Sequence, residues 1–335
     1  MRKDYQEIDI NMTVLVTGAA GFIGFFLTKD LLDRGMKVIG VDNMNDYYDV
    51  SLKEERLSIL KGYEKFTFLK MDIKDYDQVE NLFVEYKPEI VVNLAAQAGV
   101  RYSIENPTAY IQSNIVGFFN ILECVRNHPV KHLIYASSSS VYGANKKIPF
   151  STEDKVDKPV SLYAATKKTD ELMAYAYCKL YGIKATGLRF FTVYGPMGRP
   201  DMAYFSFSKK IASGEAIKIF NNGDMYRDFT YVDDIISAIT KMLNNPPVAD
   251  EDEVYHKVYN IGNNKPEKLM YFIETLEECL GAVAQKEYLP MQPGDVYQTY
   301  ADVTDLIEDF DFKPDTSIKE GLTKFAEWFK KKYNF

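Results

Sequence analysis

Short apolar runs alternate with stretches of helical pattern along the first half of this chain. The runs are rich in β-branched side chains, which is typical of strands buried inside a sheet. Between them the sequence has the composition and length of helices. The predicted strands cover residues 13–17, 37–42, 66–69, 90–94, 132–136 and 183–189, and the predicted helices follow the first strand to about residue 33 and cover about 76–86, 108–127 and 161–181.

Strands that alternate with helices predict a parallel sheet covered on both faces, which is a Rossmann-type, doubly wound α/β fold. After Pro196 the alternation gives way to shorter pieces with Pro and Gly breaks, which indicates a smaller mixed α/β lobe. We therefore expect a first domain over 12–195 and a substrate lobe over 196–335, with some segments of the second half returning to the first domain. Phe325, Trp328 and Phe329 predict an amphipathic helix at the C-terminal end.

Three glycines lie between the first predicted strand and the first helix. Gly18, Gly21 and Gly24 allow the backbone to approach a pyrophosphate, whose charge is then favoured by a helix N-terminus. The same glycines could serve only to pack the strand tightly against the helix. In the first interpretation the turn predicts a dinucleotide site.

The residues that end the later strands support a dinucleotide site. Asp42 ends the second predicted strand and can accept hydrogen bonds from an adenosine ribose, which favours NAD over NADP; the alternative is a cap or turn carboxylate. Ala95 and Ala96 follow the fourth strand and leave room for a nicotinamide. Asp72 could reach the adenine edge or be a solvated loop acid.

Tyr163 and Lys167 are four residues apart and share one face of a predicted helix. A lysine ammonium beside a tyrosine favours the phenolate, so the tyrosine can act as a base. Ser138, at the end of a predicted strand, could hydrogen-bond the same substrate oxygen. Together they indicate a proton-transfer site for an alcohol that is oxidised to a ketone.

Composition narrows the possible partners. The chain of 335 residues is 46% hydrophobic and 26% charged, as in ordinary globular proteins, and its net charge of −8 argues against nucleic acid. No apolar run approaches the ~20 residues that span a membrane, and the first ten residues lack a signal-peptide core, so we expect a cytoplasmic protein with no membrane partner. The three cysteines are scattered and show no metal-ligand spacing, so we expect no metal.

Taken together, the motifs resemble those of extended short-chain dehydrogenases/reductases, and more narrowly those of nucleotide-sugar epimerases. The resemblance covers about residues 12–310, and two segments, 95–103 and 195–203, are most similar to UDP-glucuronate 4-epimerases. It rests on the segments Thr17-Gly18-Ala19-Ala20-Gly21-Phe22-Ile23-Gly24, Asp42-Asn43, Asp72-Ile73, 94–101, 137–143, Tyr163-x-x-x-Lys167, 189–196 and 227–234.

The resemblance implies a role for each matched position. Tyr163 would be the catalytic base, Ser138 would steady the substrate oxygen, and Lys167 would hold the nicotinamide ribose of NAD. The other implied cofactor residues are Gly18, Gly21, Phe22, Ile23, Gly24, Asp42, Asn43, Asp72, Ile73, Leu94, Ala95, Ala96 and Asn114. One position departs from the pattern, since many relatives have histidine where this chain has Asn93.

The resemblance also implies a set of substrate residues. Thr192 and Arg199 would face a carboxylate at C6 of the sugar, Arg227 would bind a phosphate, and Asp295 a ribose hydroxyl. Ile217 would form a short strand beside the uridine, and Arg101 and Ser139 complete the set with Ser138. A solvated loop residue for Arg199, a surface ion pair for Arg227 and a turn acid for Asp295 are the alternatives.

The serine run separates the related reactions. Relatives that eliminate water carry Thr-Asp-Glu where this chain has Ser138, Ser139 and Ser140, and related decarboxylases carry glutamate at the last position. Without such acids, elimination has no proton carriers. We therefore expect epimerisation at C4 of a UDP-sugar, most specifically UDP-glucuronate to UDP-galacturonate; UDP-glucose/galactose 4-epimerase is the alternative, followed by a 4,6-dehydratase or decarboxylase.

Relatives use the two helices predicted at 108–127 and 161–181 to form a homodimer, so the resemblance implies a homodimer here. Both helices carry aromatic residues, including Phe118, Phe119, Tyr175 and Tyr177. Burial of these rings within one subunit is the alternative.

Overall fold

The computed structural model describes residues 2–291 and 297–335. Within these ranges the chain forms twelve strands and twelve α-helices. The strands are β1 Thr13–Thr17, β2 Lys37–Asp42, β3 Phe66–Lys70, β4 Ile90–Asn93, β5 His132–Ser138, β6 Ala185–Phe190, β7 Thr192–Tyr194, β8 Ile217–Ile219, β9 Tyr226–Tyr231, β10 His256–Ile261, β11 Pro266–Lys268 and β12 Lys286–Tyr288.

The helices flank these strands or cover the second half of the chain. They are α1 Phe22–Asp33, α2 Val50–Leu60, α3 Tyr76–Tyr86, α4 Tyr102–Glu105, α5 Pro107–Tyr110, α6 Gly117–Asn127, α7 Leu162–Tyr181, α8 Ala203–Ser213, α9 Val232–Met242, α10 Leu269–Leu280, α11 Thr304–Phe310 and α12 Ile318–Tyr333.

Seven parallel strands form the central sheet in the order β10-β6-β5-β4-β1-β2-β3. The order of the chain reverses between β1 and β4, and a sheet of this kind binds ligands at the carboxyl ends of the strands beside that reversal. The predicted Rossmann-type fold is therefore confirmed.

Strand β1 shows why the apolar runs predicted the sheet. Val14 and Val16 pack into one hydrophobic cluster, while Leu15 packs into the other, on the opposite face. All three side chains are fully buried. A strand covered on both faces has no polar positions to alternate with, so it is a continuous apolar run in the sequence.

The helix predicted over 108–127 is interrupted, which corrects the sequence prediction. After α5 the chain makes a π-helical segment, Ile111–Val116, before α6 begins at Gly117. The wider turn brings the Asn114 amide to the segment after β4, where it bonds the backbone of Gln97. Single π-turns of this kind often occur at functional sites.

The second half forms two small sheets covered by helices. One sheet has the order β11-β9-β7 and the other pairs β12 with β8. Helix α12 packs Phe325 and Phe329 into the core, as its spacing predicted. Strand β10 leaves this lobe and pairs with β6 in the central sheet. The described residues contain no helix that is long and apolar enough to cross a lipid bilayer.

Candidate active site

A cavity of about 430 Å³ opens at the carboxyl ends of the central strands. Its lining joins the loops after β1, β2, β3, β4, β5 and β6 with the start of α7. Eighteen of the residues that the sequence suggested line it: Gly18, Gly21, Phe22, Ile23, Gly24, Asp42, Asn43, Asp72, Ile73, Leu94, Ala95, Ala96, Ser138, Ser139, Tyr163, Lys167, Thr192 and Arg199.

The glycine loop turns tightly into α1. A Cβ atom on Gly24 would lie 2.0 Å from the carbonyl oxygen of Gly18, so no larger residue fits there without moving the backbone. Gly21 is the N-cap of α1, and no side chain caps the first turn. Since that turn lines the cavity, its N–H groups and the positive end of the helix can hold a diphosphate.

The carboxylate of Asp42 lies beside the glycine loop and is largely buried. Its oxygens accept hydrogen bonds from the backbone N–H of Ala20 (3.2 Å) and of Met44 (2.8 Å). Lys53, which the sequence analysis missed, places its Nζ 3.6 Å from the same carboxylate and also donates to Asn45 at 2.8 Å. Burial lowers the pKa of Lys53, and Asp42 opposes that shift.

The ends of β2 and β3 are tied together at the same edge of the cavity. The Asn43 amide donates to Asp72 at 3.1 Å, and Lys74 lies 3.5 Å from that carboxylate. The two residues therefore form one polar wall, where the adenine edge of a dinucleotide was expected.

Lys167 lines the cavity and is largely buried. Its Nζ donates to the carbonyl oxygen of Ala136 at 2.9 Å and to Asp170 at 3.0 Å. Burial raises the pKa of Asp170 to about 7, although Lys167 acts against that shift. The ammonium and the Tyr163 side chain both line the cavity, one turn of α7 apart.

Ser137 and Ser138, the last two residues of β5, point in different directions. The Ser138 hydroxyl donates to Ser140 Oγ at 3.1 Å and accepts from the Ser140 backbone N–H at 3.2 Å. Ser137 instead donates to Glu171 at 2.7 Å, and Glu171 forms an ion pair with Arg189 at 2.8 Å. Ser137 therefore belongs to a buried structural network, while Ser138 has a fixed position in the cavity wall.

Arg199 lines the cavity and forms an ion pair with Asp201. Its guanidinium donates through two nitrogens to the carboxylate of Asp201, which also accepts from the Tyr47 hydroxyl at 3.2 Å. Burial alone would raise the pKa of Asp201, but Arg199 outweighs burial and lowers it. Burial and Asp201 raise the pKa of Tyr47 to about 12. No sequence pattern indicated Tyr47, and the only pattern that indicated Asp201 was its place two residues after Arg199.

Two asparagines lie behind the lining rather than on it. Asn114 bonds Gln97 and donates to Thr166 at 3.0 Å, so its amide supports the loop after β4 and the helix that carries Tyr163. Asn114 was expected in the cofactor wall, but Gln97, whose backbone it bonds, lines the cavity and Asn114 does not. Asn93 accepts from the Thr17 hydroxyl at 2.6 Å and joins β1 to β4.

Three more suggested substrate residues, Arg101, Ile217 and Arg227, lie outside this lining. Arg101 is exposed, with its guanidinium 5.7 Å from the centre of the Phe220 ring. Ile217 is fully buried in β8, and Arg227 donates to the carbonyl oxygens of Tyr226 and Tyr297. Asp295 lies outside the described residues.

Comparisons with known proteins agree with this geometry. The NAD dependent epimerase/dehydratase family matches residues 14–262. Protein CapI of Staphylococcus aureus is 57% identical over 333 residues, which cover 96% of this chain and 99% of that protein. The probable UDP-glucuronate 4-epimerase of Rhizobium meliloti is 46% identical, with 96% and 98% covered.

A solved structure is also similar along nearly its whole length. The UDP-glucuronic acid 4-epimerase from Bacillus cereus, in complex with UDP-glucuronic acid and NAD, has a TM-score of 0.88 and 33% identity; 96% of this chain and 100% of that chain are covered. Because this family match covers more than half of the chain, the chain belongs to the NAD dependent epimerase/dehydratase family.

Proposed function

We propose that this protein epimerises C4 of a UDP-sugar with NAD as its cofactor, and that the sugar is UDP-glucuronate. One observation carries the proposal: a single cavity joins a dinucleotide-type glycine loop, the Ser138, Tyr163 and Lys167 group, and an arginine on the opposite side. The relatives and the solved structure named above support the same reaction.

The residues around the glycine loop fit NAD. The uncapped first turn of α1 would hold the diphosphate, and Asp42, fixed by two backbone N–H groups, would accept from the adenosine ribose. When bound there, NAD would supply an acceptor for the hydride of C4, which is later returned to the opposite face of the sugar.

Tyr163 would move the proton that accompanies this oxidation. It takes the proton of the C4 hydroxyl. It returns this proton after the 4-keto sugar has rotated in the site and presents its opposite face. Lys167, held by Ala136 and Asp170, keeps a positive charge near the phenol, and Ser138 fixes the C4 oxygen by a hydrogen bond.

The C6 carboxylate would bind on the arginine side of the cavity. The 4-keto form of UDP-glucuronate is a β-keto acid, which readily loses carbon dioxide. Arg199 offers a planar fork of donors and Thr192 a hydroxyl, and both line the cavity. We infer that they hold the carboxylate out of the geometry in which the C–C bond breaks.

The small number of carboxyl groups among the described lining residues favours epimerisation over elimination. Among the described lining residues, only Asp42 and Asp72 carry a carboxyl group; Asp42 ends β2 and Asp72 follows β3. The serine run contributes Ser138, Ser139 and Ser140 to the wall, and hydroxyl groups cannot exchange the two protons that removal of water requires.

Purified protein, incubated separately with UDP-glucuronate, UDP-glucose and UDP-xylose without added NAD, tests this proposal. We expect the 4-epimer to form only from UDP-glucuronate, because only that sugar presents a carboxylate to Arg199. Release of carbon dioxide as the main product, or faster conversion of UDP-glucose, would contradict the proposed substrate.

We also propose that the protein is a homodimer that pairs through α6 and α7. Large apolar side chains are exposed along these helices, including Phe119 (42%), Leu172 (59%) and Leu180 (69%). Exposed apolar residues grouped on one face commonly mark an interface between subunits.

A further inference from the structure

Arg56, on helix α2, connects two loops of the active site although it does not line the cavity. Its side chain is completely buried. Nη1 donates to the carbonyl oxygen of Ala20, in the glycine loop, at 2.9 Å. Nε and Nη2 donate to the carbonyl oxygens of Met197 (3.1 Å) and Gly198 (3.2 Å), which directly precede Arg199.

The loop before Arg199 has a backbone that needs such support. Met197 has a φ of +52°, a left-handed conformation that side-chain-bearing residues rarely adopt. A Cβ atom on Gly198 would lie 1.7 Å from the Tyr204 hydroxyl oxygen. The carbonyl groups of both residues therefore point at Arg56 only in this unusual conformation, and the bonds from the guanidinium favour it.

The charge of Arg56 is also unusual for a buried side chain. All of its hydrogen bonds end on neutral oxygens, those of three carbonyl groups and the Tyr48 hydroxyl. A buried cation is costly unless an anion is near. Since one acceptor belongs to the glycine loop, a diphosphate bound by that loop would supply negative charge close to it.

We propose that Arg56 is a positioning residue that fixes the Arg199 loop against the cofactor loop. It makes no contact with substrate; it holds Arg199 where it can meet the C6 carboxylate. The expected kinetic effect rests on the proposed function, but the connection that Arg56 makes between the two loops does not. A planar fork is required, because a lysine ammonium cannot bond both loops in this geometry.

A double-mutant cycle in the full-length protein loaded with NAD tests the proposal. The variants are Arg56→Lys, Arg199→Ala and the double variant, with Arg34→Lys as the control because Arg34 pairs with Asp30 on the surface of α1. We expect Arg56→Lys to lower kcat/KM for UDP-glucuronate about 30-fold in the native background and less than about 3-fold in the Arg199→Ala background. Equal losses in both backgrounds would overturn the positioning role.

Hydrogen–deuterium exchange gives a readout that does not depend on activity. Peptides covering 195–202 should exchange faster in Arg56→Lys than in the native protein, while peptides of β4 and β5 should not change. Unchanged exchange in 195–202 would overturn the proposal. If the native protein does not convert UDP-glucuronate, the proposed function fails, and this exchange measurement still decides the role of Arg56.

Unfolding temperature separates positioning from folding. Should Arg56→Lys not fold, Arg56→Gln replaces it in the cycle, since an amide keeps some donors without a buried charge. Loss of the fold in both variants would assign Arg56 to folding rather than to positioning, and would overturn the proposal.

Discussion

Lys167 has three N–H donors, and the protein itself uses two of them. Ala136 and Asp170 accept these two hydrogen bonds. One donor remains for the cavity, so the cofactor ribose and the Tyr163 phenol cannot both receive a full hydrogen bond from it at once. In the proposed mechanism the phenol oxygen of Tyr163 is therefore the group that exchanges the proton with the C4 oxygen.

Replacing Tyr163 by phenylalanine should reduce turnover by at least about 1000-fold, because it removes the proposed acceptor of the C4 proton. The binding of NAD should persist, since the glycine loop and Asp42 are untouched. Stopped assays with UDP-glucuronate and cofactor content by absorbance measure both effects. Tyr271→Phe, an exposed tyrosine on α10, is the matched control. Residual activity within about tenfold of the native enzyme would refute the role of Tyr163 as base.

Arg199→Ala should lower kcat/KM for UDP-glucuronate by roughly 100-fold, because two charge-assisted hydrogen bonds at about 1.5 kcal/mol each are lost. The unfolding temperature should change little, since the partner, Asp201, is partly exposed and can be solvated. Steady-state kinetics and thermal unfolding check this, with Arg34→Ala as the control. Native kinetics in Arg199→Ala would remove this residue from the site.

At the scale of elements, the strands of the central sheet bury ionisable side chains as well as apolar ones. His132, the first residue of β5, is completely buried. Its ring nitrogens lie 3.2 Å from the Leu243 carbonyl oxygen and 2.8 Å from the Thr186 hydroxyl, so a neutral ring is satisfied on both sides. Burial lowers the pKa of His132 from 6.5 to about 4.

This shift predicts how stability depends on pH. Between pH 6.5 and 4 the unfolded chain binds a proton at His132 that the folded chain does not, so stability falls as the pH falls through this window. The shift corresponds to at most about 3 kcal/mol. His132→Asn should flatten the slope of unfolding free energy against pH, and the partly exposed His128→Asn is the control. An unchanged slope in His132→Asn would contradict the assignment.

At the scale of the whole molecule, α6 and α7 expose apolar residues and pack into one hydrophobic cluster of the central sheet, while the small sheets of the second lobe pack into the other. Tyr163 lies in the first turn of helix α7, so the proposed dimer surface and the active site share one rigid element. A subunit contact along α7 would therefore restrict the helix that carries the base.

Leu172→Glu should convert the proposed dimer into a monomer, because it places a charge in an apolar interface. Sedimentation velocity or light scattering measures the mass directly. Val283→Glu, at an 82% exposed position near α10, adds the same charge away from α6 and α7 and should leave the mass unchanged. A native protein that is already monomeric would refute the dimer.

The parts of this structure that could be predicted from the sequence are those that depend on neighbouring residues. Apolar runs such as 13–17 indicate buried strands, and the glycines beside Gly24 indicate a tight turn, because both constraints are local. Arg56, Asp201 and Lys53 could not be identified in this way. Each acts through partners that are near only in the folded chain, and a buried arginine on α2 has no local pattern of its own.

Strand β10 lies at one edge of the central sheet but is encoded late in the chain. During synthesis, the edge of β6 that pairs with β10 therefore stays unpaired until residue 261 has left the ribosome. During that interval the exposed edge could pair with another chain. The sheet is thus exposed to misassembly during synthesis, before β10 is available, and the equilibrium stability of the folded protein does not describe that interval.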